Sequence, residues 1–414
     1  MSSLNETPRS ARLHVALFGR RNCGKSSLIN AMSNQKAAIV SEVPGTTTDP
    51  VFRAMEILPV GPVVLIDTAG LDDTGELGEL RVRRTLEVLE RTDLALIVVD
   101  AERGIGDEEN RLADRLAAAD IRAVVAVNKS DLRDISAEVR LWAESRGYPW
   151  ISVSASTGAG IPELRELLAR SADTQAERPI VGDLVHDGDI VVLVVPIDKA
   201  APKGRLILPQ VMTLRDALDH DAVALVVKER ELSAALRSLD RLPKLVVTDS
   251  QAILKASADT PKECLFTTFS ILMARHKGVL TEVAAGAAKL EVLQPGDRVL
   301  IAEACTHHRQ PDDIGKVQIP RWLRQLVGGE LEFSWCSGHD FPPDLDQYDL
   351  VIHCGGCMIN RREMVSRLRR AQEAGVPMTN YGVVLAAVHG VLERALAPFP
   401  SALMAFRKAL DALG

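Results

Sequence analysis

The sequence predicts an α/β protein built from three domains, over residues 1–172, 173–263 and 264–414. Three observations predict it. Apolar β-branched runs alternate with helically spaced segments along the chain. The stretch "LHVALFGRRNCGKSSLINAM" joins an apolar strand to a helix through a glycine turn. In the last third, cysteines and histidines gather at the ends of predicted strands.

The 414 residues suit two to four domains. A hydrophobic share of 46% and a charged share of 25% are those of an ordinary globular protein. The net charge of −7 weighs against a surface made mainly to bind nucleic acid, and no nucleic-acid partner is expected. The N-terminal "MSSLNETPRSARL" is polar and lacks a signal-peptide core. The longest apolar stretch, near "IVVLVVPI", is too short to cross a bilayer. No membrane association is expected, and a cytoplasmic location follows. Six cysteines in a reducing compartment are no disulfide framework, which directs attention to metal or catalysis.

In the first third, Gly19, Gly24, Lys25 and Ser26 fit G-x-x-x-x-G-K-[ST] between a strand and a helix. Loop N–H groups can wrap phosphates, Lys25 can reach the β- and γ-phosphates, and Ser26 can ligate Mg²⁺. "VVLIDTAGLDD" is a second strand ending in Asp67, which can hold the metal through water, and Gly70 can sense a γ-phosphate. "AVVAVNKSDL" ends a third strand in Asn128, Lys129, Ser130 and Asp131. The Asp131 carboxylate can accept from guanine N1 and N2, donors that adenine does not offer. "ISVSAS" ends a fourth strand, where the Ser154 and Ala155 backbone can meet guanine O6. Four motifs at strand C-termini are how an open α/β sheet builds a site. Asn22 and Ser27 complete the candidate nucleotide contacts, and GTP or GDP is the expected ligand.

Residues 11–172 resemble the GTPase branch that contains the tRNA-modification GTPase MnmE and Era, which implies a Ras-like P-loop GTPase domain. The resemblance makes "SEVPGTTTD" part of switch I (36–50), with Thr47 on Mg²⁺, and places switch II at 70–80. It also implies a K⁺ site at Asn22, with Ser41, Val43 and Thr46 where the remaining ligands lie. Leu71 stands where Ras-like enzymes carry a water-orienting glutamine. Leucine cannot polarise water, so unassisted turnover of about 10⁻⁴ to 10⁻² s⁻¹ is expected. Potassium acting through Asn22 would supply the missing charge, and the expected catalytic set is Lys25, Asn22 and Thr47.

"SADTQAERP" reads as a linker. Beyond it, "DIVVLVVPI", "AVALVVKE" and "PKLVVTDS" read as strands, and "VMTLRDALDHD" and "RELSAALRSL" as helices. No catalytic motif is present; His186 and His220 read as structural or solvated. A small α/β unit of this kind is expected to pair, making the chain a homodimer.

In the last third, "GDRVLIAEAC" ends in Cys305, Thr306, His307 and His308; "ELEFSWCSG" carries Cys336; "YDLVIHCGGCM" ends in His353, Cys354 and Cys357. A fourth strand in "VPMTNYGVVLAA" completes the predicted parallel sheet. Strand ends of one sheet share an edge, so Cys305 can converge with Cys354 and Cys357. Two glycines between the latter let both sulfurs face one centre. Thiolates beside histidines suit Zn²⁺ or an iron–sulfur cluster. Three thiolates with a changeable fourth position favour a cubane cluster. His307, His353 and Asp312 are candidates for the fourth place. Cys23, Cys264 and Cys336 read as buried thiols.

Taken whole, Cys305-Thr306-His307 and His353-Cys354-Gly355-Gly356-Cys357, with "FTTFSILMARHKG" at 266–278, resemble the HydF family of [FeFe]-hydrogenase maturation GTPases. That resemblance implies a GTPase domain, a dimerisation domain and a domain binding a [4Fe–4S] cluster. It further implies a diiron subcluster precursor as cargo, and as partners the radical-enzyme hydrogenase maturases and the apo-[FeFe]-hydrogenase. Two other readings compete. One is a zinc-binding regulatory GTPase in RNA modification or ribosome assembly. The other is an oxidoreductase using Cys354 and Cys357 as a dithiol, which leaves Cys305 and the histidines without a task.

Overall fold

A computed structural model of the chain describes residues 9–33, 51–70, 87–172, 178–196, 206–304, 313–338 and 340–413. They belong to two compact units that meet at residues 176 and 177.

The first unit is built on a six-stranded sheet, β2-β3-β1-β4-β5-β6. Its strands are β1 (Leu13–Phe18), β2 (Val51–Ile57), β3 (Gly61–Asp67), β4 (Leu94–Asp100), β5 (Arg122–Asn128) and β6 (Trp150–Ser152). Only β2 runs antiparallel to its neighbour; the others are parallel. Near-continuous apolar strands such as "LALIVVD" are what a sheet covered on both faces requires. Alternate residues divide accordingly. Val15, Leu17, Leu96 and Val98 pack on one face, and Ala16, Phe18, Ile97 and Val99 on the other. Each large buried side chain is worth about 2 kcal/mol. Because β1, β3, β4, β5 and β6 are parallel, Phe18, Asp67, Asp100, Asn128 and Ser152 all end at one edge.

The second unit holds two four-stranded, all-parallel sheets, β10-β9-β7-β8 and β12-β11-β13-β14. The former comprises β7 (Ile190–Val194), β8 (Val223–Val227), β9 (Leu245–Thr248) and β10 (Leu265–Thr268). The latter comprises β11 (Arg298–Glu303), β12 (Glu332–Ser337), β13 (Leu350–His353) and β14 (Met378–Asn380). β10 lies beyond residue 263, yet it pairs with β9 from Leu265↔Leu245 to Thr268↔Thr248 and so completes the middle sheet.

One hydrophobic core serves both sheets of this unit, running from Ile180 through Val192, Phe266 and Ile301 to Ile352 and Phe406. Close approach explains why. A Cβ on Gly382, in the helix Tyr381–Val388, would stand 2.5 Å from Ser270 Cβ and 3.1 Å from Thr268 Oγ1. Only glycine lets that helix lie against the elements that follow β10. Asn380 caps the same helix through Val383 N (2.9 Å) and donates to Ser270 O (3.3 Å).

Candidate functional site

The P-loop is strained where the phosphates would sit. Asn22 is in the left-handed region (φ 63) and exposed; Gly24 has φ 95. A Cβ on Gly24 would stand 2.2 Å from Asn128 Nδ2. The loop runs into the helix Lys25–Ser33, and the first N–H groups of a helix lack intrahelical acceptors, which suits an anion. Lys25 Nζ donates to Gly19 O (2.9 Å) and Arg20 O (3.0 Å), carbonyls of the loop itself. Ser26 and Ser27 are exposed at the helix start.

Ser26 Oγ donates to Asp67 Oδ2 at 2.5 Å, while Asp67 Oδ1 is buried without a partner. An orphaned carboxylate oxygen beside a serine hydroxyl is a hard-oxygen donor set that fits Mg²⁺. Thr68 Oγ1 donates to Leu17 O (2.5 Å), pinning β3 to β1 ahead of the buried Gly70.

On the base side, Asn128 is 2% exposed. Its Nδ2 donates to Cys23 O (2.9 Å) and its Oδ1 accepts from Ala155 N (3.1 Å). Asp131 is exposed and receives Ser154 Oγ (2.6 Å) and Ser156 Oγ (3.1 Å). The Ser154 hydroxyl in particular holds the Asp131 carboxyl below its usual range, keeping it an anion able to accept N–H bonds. Lys129 Nζ donates to Asp100 Oδ2 (2.7 Å). Burial alone would raise Asp100, but the Lys129 ammonium and the N–H groups of Glu102 and Arg103 together hold it low. Asp100 is a residue that sequence reasoning missed; its place at the end of β4 was the available signal.

The second candidate site lies at the C-terminal edge of the sheet containing β11 and β13. Ala302 pairs with His353 on one side and Cys336 on the other. Cys354 N donates to Ala302 O (2.8 Å), and Cys354 Sγ receives the N–H groups of Ala304 (3.1 Å) and Gly356 (3.4 Å). Burial raises the Cys354 thiol despite those two bonds. Burial favours the neutral thiol and the two N–H groups favour the thiolate, so this partly buried sulfur fits a thiolate ligand of an iron–sulfur cluster, whose iron would balance its charge. Cys357 is half-buried nearby in sequence.

His353 is fully buried. Its Nδ1 contacts Cys354 O (2.7 Å) and its Nε2 contacts Arg367 Nη1 (3.0 Å). Burial first, and then the Arg367 guanidinium, push its pKa down to about 3. Both ring nitrogens are therefore occupied, and His353 offers no nitrogen to a metal in this arrangement. Cys336, expected as a buried thiol, is partly buried at the same sheet edge and packs against the core, with burial raising its pKa to about 11. Cys23 and Cys264 are buried.

Sequence reasoning also missed Glu303 and Tyr381. Tyr381 Oη donates to the buried Glu303 Oε1 (3.2 Å), and the Glu303 charge raises the Cys354 thiol further. The signal was present: an acidic residue in the apolar run "RVLIAE".

Ser41, Val43, Thr46, Thr47, Leu71, Cys305, His307, His308 and Asp312 lie outside the described residues, as do switch I and all of switch II beyond Gly70. Among the described residues, no three His, Cys, Asp or Glu side chains gather as a metal site. Nor, among them, is any helix long and apolar enough to cross a membrane.

Three family models match the chain. Residues 14–129 match the 50S ribosome-binding GTPase model, 180–278 the hydrogen maturase F dimerization domain, and 281–398 the hydrogen maturase F tetramerization domain. Among curated proteins, the tRNA modification GTPase MnmE of Heliobacterium modesticaldum is 43% identical over 159 residues, 38% of this chain and 33% of the relative. MnmE of Chromobacterium violaceum is 41% identical over 157 residues, 38% and 34%. The chain thus spans about a third of the length of these relatives. The solved G domain of the T. maritima FeoB iron transporter is 24% identical, covering 39% of this chain and 98% of that one, with a TM-score of 0.31. Two successive models of one family account for the second unit. The chain belongs to the hydrogen maturase F family.

Proposed function

We propose that this hydrogenase-maturation GTPase is a GTP-hydrolysing scaffold that holds a [4Fe–4S] cluster through Cys305, Cys354 and Cys357. It would carry a diiron precursor delivered by radical-enzyme maturases and transfer it to apo-[FeFe]-hydrogenase. The observation that carries the reading is the bond from Ala304 N to Cys354 Sγ at 3.1 Å. The residue that precedes Cys305 along the chain thereby touches the sulfur across the sheet. In the cluster, thiolates from all three cysteines would bind iron; the cluster supplies an iron corner able to take an exogenous ligand. With His353 engaged at both nitrogens, His307, Asp312 or an incoming group is favoured at that corner.

The GTP side rests on Lys25, Ser26 and Asp67 for phosphate and Mg²⁺, and on Asn128, Asp131, Ser154 and Ala155 for guanine. Hydrolysis is proposed to be slow and K⁺-stimulated through Asn22, with Ser41, Val43 and Thr46 completing the K⁺ shell and Thr47 joining Mg²⁺. Equal hydrolysis rates in K⁺ and Na⁺ would remove the potassium part alone.

Anaerobic purification tests the scaffold. The chain should be brown and contain iron and sulfide, and Cys305→Ala, Cys354→Ala or Cys357→Ala should bleach it with GTP hydrolysis retained. Stoichiometric zinc in a colourless protein would instead favour the zinc-GTPase reading.

A further inference from the structure

We propose that Arg367 is a positioning residue of the metal centre, acting through His353 on the backbone that carries Cys354. This inference rests on the cluster reading above. Arg367 is 1% exposed, a charged side chain sunk among the largest fully buried groups of the chain. It lies on the inner face of the helix Arg361–Glu373, with Met364, Leu368 and Ala371 as buried neighbours. The helical pattern calls for an apolar residue there.

Three contacts hold the guanidinium. Nη2 donates to Glu363 Oε1 (2.7 Å) and to Gly338 O (2.5 Å), and Nη1 meets His353 Nε2 at 3.0 Å. The guanidinium also lies 5.3 Å from the Phe341 ring centroid. Arginine has no acceptor, so His353 Nε2 must accept. The imidazole proton therefore sits on Nδ1, which donates to Cys354 O (2.7 Å). A chain of contacts thus runs from Glu363 through Arg367 and His353 to the Cys354 peptide, whose sulfur is aimed by the Ala304 and Gly356 N–H groups. The far end of the loop is held separately: Lys277 Nζ, 5% exposed, donates to Ile359 O at 2.7 Å.

A buried ion pair is a weak source of stability, since apolar replacements of like volume often do as well. What Arg367 does that methionine could not is fix the ring tautomer and place a permanent positive charge within electrostatic reach of the Cys354 sulfur. Outer-sphere partners of this kind typically alter metal retention by about 10- to 100-fold, and cluster potentials follow nearby charge.

The test uses the full chain, reconstituted anaerobically with iron and sulfide. Arg367→Met, Arg367→Lys and the paired Arg367→Met/Glu363→Gln, which strands no charge, are compared with wild type. Iron and sulfide retained against a chelator, the EPR spectrum of the reduced cluster and its midpoint potential are measured; the melting temperature of the apo-protein reports folding. In both Met variants, chelator resistance should fall about 10- to 100-fold, with an altered EPR spectrum and a more negative potential. Arg367→Lys should restore most of the potential but not the retention, because one ammonium cannot span both partners. Wild-type retention, spectrum and potential in a folded paired variant would overturn the assignment while leaving the cluster reading intact. A wild-type chain that holds no iron would overturn the cluster reading itself, and this inference with it.

Discussion

Asn128 serves two loops with one amide, joining the P-loop carbonyl of Cys23 to the N–H of Ala155. Replacing it with alanine leaves both partners without a bond in a buried place, a loss of about 1–3 kcal/mol for each stranded group. Asn128→Ala should therefore weaken GDP binding at least tenfold by calorimetry, although Asn128 need not touch the base. Asp131 is different in kind: its anion is proposed to set which base fits. Asp131→Asn exchanges an acceptor for a donor and should move preference from guanosine to xanthosine nucleotides in competition binding. Asp100 gives a pH signature. Its pKa is lowered in the folded state, so its contribution is complete above the unfolded value near 4. It is lost as pH falls through the lower folded value. Urea denaturation in acid should show this loss, and Asp100→Asn should abolish it. At this scale the placement of the nucleotide motifs was legible, because each closes an apolar run that forms a strand. Arg367 and the engagement of both His353 nitrogens were not, since a buried arginine at a helix position looks like a solvated one until its face is known.

The elements of the last sheet were legible from their apolar runs, with helical patterns after β11, β13 and β14, and the observed order β12-β11-β13-β14 is all parallel. β10 shows the limit of such reading. "LFTT" leads directly into the helix Phe269–His276, so the sequence reads onward, while its hydrogen bonds reach back to β9. Pairing is a tertiary choice that local pattern does not encode. Arg394 illustrates how elements are joined once pairing is made. From the helix Leu392–Leu396 it donates to Ser257 O (2.6 Å), Thr260 O (2.8 Å) and Pro261 O (2.8 Å), with its guanidinium over Phe266. Arg394→Met should destabilise the second unit by about 2–4 kcal/mol, given the usual worth of charged hydrogen bonds, read as a lower urea midpoint.

At the scale of the molecule, the chain carries dimerization and tetramerization domains and so is built to self-associate. β8 is an edge strand of its sheet, and Val223 and Val226 on it are 53% and 42% exposed. An edge with no further strand among the described residues and with bare valines is a template for strand addition. Val226→Lys should lower the mass seen by sedimentation at micromolar concentration, and an unchanged mass would place the contact elsewhere. The seamless interior shared by the two sheets of the second unit has a genealogical corollary. Excising the β7–β10 layer would lay Phe269 and Leu272 bare. Descendants of this architecture should therefore inherit both layers or neither, whatever GTPase they are spliced to.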